Sequence, residues 1–109
     1  MHKTILFALV ILSGLSAGAL AANQVIHQQG RVFSSESVTI KKGDALTFVN
    51  DDSIPHNIMS GTKGSEFNLG SQAPGMSTDV TFKEPGDVQV ICAIHPRMKM
   101  MVKVTDSLN

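Results

Sequence analysis

The segment Cys92-Ala93-Ile94-His95-Pro96-Arg97-Met98 sets a thiol, an imidazole and a thioether within seven residues. A second imidazole, His56, stands upstream in Pro55-His56-Asn57. Two imidazoles and one thiolate in a trigonal plane, with a weak axial thioether, are the donor set of a blue-copper electron-transfer site. Thiolate and thioether suit Cu(I), imidazole suits both oxidation states, and an intermediate geometry needs little rearrangement when an electron moves. Zinc is the rival metal, but structural zinc takes four ligands from Cys and His and rarely uses Met. A Cys–His nucleophile pair is a second rival. It needs a third orienting group, and no protease or hydrolase motif surrounds Cys92. The plainest alternative is a core cysteine beside a surface histidine.

Such donors must be brought together by a frame, and the rest of the chain reads as one made of strands. Val25 to Phe33 is a first strand, Ser37 to Lys41 alternates polar and apolar residues, and Ala45 to Asn50 is a buried strand. His56 to Met59 is short and extended, and Gly61 to Gly75 is rich in Gly and Ser and reads as irregular. Ser77 to Phe82 alternates again, Val88 to Cys92 is rich in β-branched residues, and Met100 to Thr105 is the last strand. Lys42-Gly43-Asp44 and Glu84-Pro85-Gly86-Asp87 are turn signals. With no convincing helical periodicity, six to eight short strands predict an all-β, single-domain Greek-key β-sandwich, an open barrel being the alternative.

Composition narrows the function classes. The 109 residues carry 9 basic and 9 acidic side chains, which argues against a nucleic-acid partner. Trp and Tyr are absent, so a platform for stacking bases or sugars has little to be built from. One Cys permits no intramolecular disulfide. Residues 1–21 read as a cleaved signal peptide, with Lys3 at the start, the apolar run Ile5 to Leu12, and small residues at Ala19 and Ala21. Residues 22–109 then form the domain, exported to the periplasm and without a membrane anchor. A free thiol in an oxidising compartment is a liability unless buried or ligated, and a bound metal would also staple so small a core.

Taken together, Cys92 to Val104 (CAIHPRMKMMVKV) and Asn50 to Asn57 (NDDSIPHN) resemble the cupredoxins, in the pattern of the amicyanin and plastocyanin-like branch. The resemblance covers essentially all of residues 22–109. It implies a Greek-key sandwich with one type 1 copper ion per chain, held by His56, Cys92, His95 and Met98. It further implies that Asn57 ties the two ligand loops through its side chain while its backbone N–H points at the sulfur.

Two departures stand out. Met100 is spaced from His95 as the axial ligand is in plastocyanins, so it competes with Met98, which the His-Pro-x-Met context favours. Ile94 stands where this branch often has proline, and its N–H is expected to donate to the Cys92 sulfur and raise the reduction potential. His95 is expected to reach solvent among apolar residues, with Ile54, Pro55, Pro74, Met76 and Pro96 forming a docking patch and Arg97 and Lys99 steering an acidic partner. Asp51 and Asp52 read as a loop device, and His27 as a strand histidine. The resulting expectation is a monomeric one-electron carrier rather than an enzyme, serving redox proteins such as a c-type cytochrome or a dehydrogenase. A copper carrier or reservoir, suggested by the many methionines, is the alternative.

Overall fold

The computed structural model describes residues 23–106. The signal-peptide expectation for residues 1–21 lies outside them. Nine strands follow in order: β1 (Asn23–Gln29), β2 (Val32–Phe33), β3 (Ser37–Lys41), β4 (Ala45–Asn50), β5 (Ile58–Ser60), β6 (Phe67–Asn68), β7 (Ser77–Thr81), β8 (Gly86–Cys92) and β9 (His95–Thr105). They form two sheets, ordered β2-β1-β4-β7 and β3-β9-β8-β5-β6. β1 runs parallel to β4 and β3 parallel to β9, so the chain crosses between sheets rather than meandering within one. This is the expected sandwich, not an open barrel.

Alternation explains the packing. Leu46 and Phe48 on β4, Val88, Val90 and Cys92 on β8, and Met98, Met100, Val102 and Val104 on β9 are all buried. Each such aliphatic, aromatic or methionine side chain contributes about 1.5–3 kcal/mol on leaving water. At one end of the sandwich the inward positions turn polar. Gln28 pairs with Asn50 across β1 and β4, and both are fully buried, as are His56 and, almost completely, Gln72. Buried polar groups must be hydrogen-bonded. Asn50 donates to the carbonyls of Ile54 and Gln72, Gln28 donates to Gln72, and Gln72 donates to the carbonyl of Phe48. That network stitches the two loops at this end onto the sheet.

Three local readings need correction. Val25 to Phe33 is not one strand but a hairpin, because Gly30 and Arg31 both take positive φ (67° and 61°). Positive φ at both central residues is the turn type whose twist matches a two-residue hairpin, and Gln29 accordingly faces Val32. The Gly- and Ser-rich stretch contains the short strand β6, paired with β5. The last strand begins at His95 rather than Met100, since β9 pairs with β8 up to the turn itself.

Candidate metal centre

The site sits where β8 turns into β9. Cys92 ends β8, fully buried, and faces His95 across the two-residue turn Ala93-Ile94. From Cys92↔His95 to Ile91↔Lys99 the register advances one residue on β8 and four on β9. Pro96, Arg97 and Met98 therefore form an irregularity that swings His95 over the end of the sheet. His56 arrives from the loop before β5 and is locked by paired backbone bonds with Gln72, 3.1 Å from its N–H and 2.7 Å to its carbonyl.

His56, Cys92 and His95 converge, their donor atoms all within 4.8 Å of one another. Cys92 Sγ lies 3.6 Å from His56 Nδ1 and 3.7 Å from His95 Nδ1. A metal bonded to sulfur at about 2.3 Å and nitrogen at about 2.0–2.1 Å holds those atoms roughly 3.6–3.8 Å apart, for angles between tetrahedral and trigonal. The two rings meet edge to face, with centroids 5.2 Å apart, so neither blocks the other's nitrogen. The donors present fit a metal, and one thiolate with two imidazoles, with Met98 buried in the adjoining turn of the chain, fits copper better than zinc.

Two further residues hold these donors. Asn57 N–H donates to Cys92 Sγ at 3.3 Å, and its carbonyl accepts from Ala93 N–H at 2.7 Å. The two loops are thus tied by the backbone of Asn57. Its side chain does not make that tie; it donates to Asn68 Oδ1 on β6 at 2.8 Å. On the far side of His56, Nε2 lies 2.7 Å from Asp52 Oδ2. An ionised carboxylate only accepts, so Nε2 carries the proton and Nδ1 is free to face the metal position. Burial opposes ionisation of Asp52, but hydrogen bonds from His56, Gly30 N–H and Arg31 N–H outweigh it and hold the carboxyl below its ordinary value.

Comparison with known proteins decides the lineage. The model of copper-binding proteins of the plastocyanin/azurin family matches residues 21–106. The chain belongs to that family. It is 33% identical over 104 residues to amicyanin-alpha of Methylorubrum extorquens, covering 84% of this chain and 86% of that protein. To the chloroplastic plastocyanin of Oryza sativa subsp. indica it is 31% identical over 102 residues, 84% of this chain and 66% of the relative. Among solved structures, a purple cupredoxin from Nitrosopumilus maritimus superposes with a TM-score of 0.68 at 28% identity, over 75% of this chain and 99% of that one.

Within this cupredoxin, the two methionines that the sequence left in competition take different places on β9. The β8–β9 pairing sets Val90 against Met100 and Ile91 against Lys99. Cys92 pairs instead with His95, so Met98 falls in the irregularity between that pair and Ile91–Lys99. Both methionines are buried on the inner face, but Met100 lies two residues deeper, about 7 Å along the strand. Ile94 does not behave as expected. It is 53% exposed in the turn, and its N–H is not among the hydrogen bonds made to Sγ; Asn57 supplies that donor instead.

His95 is half-buried where His56 is fully enclosed. Pro55, Pro74, Met76, Ile94 and Pro96 are exposed and Ile54 is half-buried. Asn50 gathers two of the loops carrying them, through Ile54 O, Gln72 O and backbone bonds to Gly75 and Met76. Arg97 and Lys99 are exposed on β9. Sequence reasoning missed the role of Asp52. The signal available was its place four residues before His56, the same spacing that brings the two together here.

Proposed function

We propose that the protein carries single electrons between redox proteins through one type 1 copper, held by Cys92 Sγ and the Nδ1 atoms of His56 and His95, with Met98 as axial ligand. The single observation behind this reading is the convergence of the Cys92, His56 and His95 donors on one point. Copper supplies the one-electron couple. The protein's part is to keep the donors from rearranging. His56 is gripped at its backbone by Gln72 and at its ring by Asp52. Cys92 is gripped at its sulfur by Asn57 N–H. A donor set that cannot relax toward either oxidation state's preferred geometry exchanges electrons with little reorganisation.

The half-buried His95 is the route out, and the apolar residues around it suit brief docking with a partner such as a c-type cytochrome or a dehydrogenase. The N-terminal pattern of residues 1–21 supports export to the periplasm. Enclosure argues for a shuttle over a copper carrier, because Cys92 and His56 are both fully buried and a carrier must give its ion up. Copper titration of residues 22–109, followed by visible absorption, tests the proposal. One equivalent taken up with an intense thiolate-to-Cu(II) band is expected. A colourless protein that binds only Cu(I) would favour the carrier, and no uptake would end both readings.

A further inference from the structure

We propose that the β1–β2 turn is a positioning element of the copper centre, acting through Asp52. This rests on the copper reading of the site. The Asp52 carboxylate bridges two distant parts of the chain. Its Oδ1 accepts from Gly30 N–H at 2.6 Å, and its Oδ2 accepts from Arg31 N–H at 3.1 Å and from His56 Nε2 at 2.7 Å. The backbone of the same loop is tied down independently. Asp51 N–H donates to the carbonyl of Gln28, and Asp52 N–H donates to Asn50 Oδ1.

The geometry makes the turn more than a connector. With positive φ at both Gly30 and Arg31, the turn aims two successive N–H groups at one carboxylate. Those two donors fix the carboxylate's orientation, and the carboxylate fixes the ring of His56. The Asp52 side chain is only 11% exposed, so its charge is weakly screened. A carboxylate on the outer nitrogen of a ligand imidazole raises its donor strength, which favours Cu(II) over Cu(I). A surface hairpin on one sheet therefore helps to set the reduction potential of a site built on the other.

Three variants test this by voltammetry of the copper-loaded protein. Asp52→Ala is expected to weaken Cu(II) binding by about 10–100-fold. The potential should rise by about 59 mV for each tenfold by which Cu(II) loses more than Cu(I). Gly30→Val forces a β-branched residue into the left-handed region. A Cβ there meets nothing within 4 Å, so the change acts through the backbone alone. It should raise the potential by less than Asp52→Ala does. In the Asp52→Ala background Gly30→Val should add nothing, since the two act in series. An unmoved potential in Asp52→Ala, or the same Gly30→Val shift in both backgrounds, overturns the proposal.

A metal-free readout separates this idea from the copper assignment. Nitrogen-15 spectra of the unloaded protein should show a protected His56 Nε2–H that Asp52→Ala exposes to exchange and Gly30→Val partly exposes. If copper uptake fails but that pattern holds, the functional reading falls and the positioning of His56 by the turn stands. If the pattern is missing, the turn has no hold on the ligand whatever metal binds.

Discussion

Replacing Met98 and Met100 by leucine, one at a time, separates a ligand from a core filler. The two methionines are close to equivalent as packing, at 2% and 3% exposed on the same face of β9. Met-to-Leu exchange conserves volume and costs less than about 1.5 kcal/mol. Both metal-free variants should therefore unfold in guanidinium within about that margin of the parent. Position relative to Cys92 differs sharply. A residue directly across an antiparallel pair has its Cβ about 4.5–5.5 Å away, a diagonal neighbour about 7–8 Å. Cys92 pairs with His95, Met98 lies in the irregularity beside that pair, and Met100 is opposite Val90, a diagonal step away. Met98→Leu should thus alter the visible and paramagnetic-resonance spectra of the Cu(II) protein and shift its potential. Met100→Leu should leave all three in place. The reverse result, a silent Met98→Leu beside an altered Met100→Leu, would refute the register argument and make the plastocyanin-like spacing the correct guide.

Other consequences follow from the same geometry. Cys92→Ser should abolish the thiolate-to-copper band and most of the copper affinity while leaving the sandwich folded, as circular dichroism would show, because Ser is smaller than the buried Cys and Asn57 N–H still has an acceptor. Ile94→Pro, expected from sequence to lower the potential, should leave it unmoved on voltammetry, since the sulfur's backbone donor is Asn57 and Ile94 is exposed in the turn. Asp52 has its carboxyl held below the ordinary 3.8, so its contribution to stability is complete above that value and is lost as pH falls through the lower, folded one. Urea midpoints of the metal-free protein should then drop below about pH 4, and Asp52→Asn should flatten that acid limb. Removing copper with a chelator should lower the melting temperature and restoring it should reverse the change, by mass action on the folded state.

The parts of this molecule that were legible in the sequence share a physical reason. Thiol, imidazole and thioether are scarce side chains with distinctive chemistry, so Cys92, His95 and Met98 within one short loop stand out without any knowledge of the fold. Strand periodicity is local as well, and β3, β4, β7 and β8 fell close to where alternation set them. The illegible parts depend on what lies beside what. Positive φ at Arg31, which splits the first strand, has no signal in the residue type, since only the neighbouring Gly30 hints at a turn. Met98 and Met100 are both ordinary inward residues until the β8–β9 register is known. Asn57 looked like a side-chain tie because asparagine amides are versatile, yet its backbone makes the tie while the amide goes to Asn68.

Asp52 shows the same division most clearly. As one of two adjacent loop acids it offers in sequence only its place four residues before His56. It acquires its role only because the hairpin turn, 21 and 22 residues away in sequence, presents two N–H groups to the carboxylate that already faces His56. Donor identity is thus written in single residues, whereas donor orientation is written in contacts between segments. A blue-copper site depends on orientation, because resistance to rearrangement is what speeds electron exchange. On the proposed reading, the residues that make this site more than a metal trap are therefore Asn57, Gln72 and Asp52, none of which belongs to the donor set.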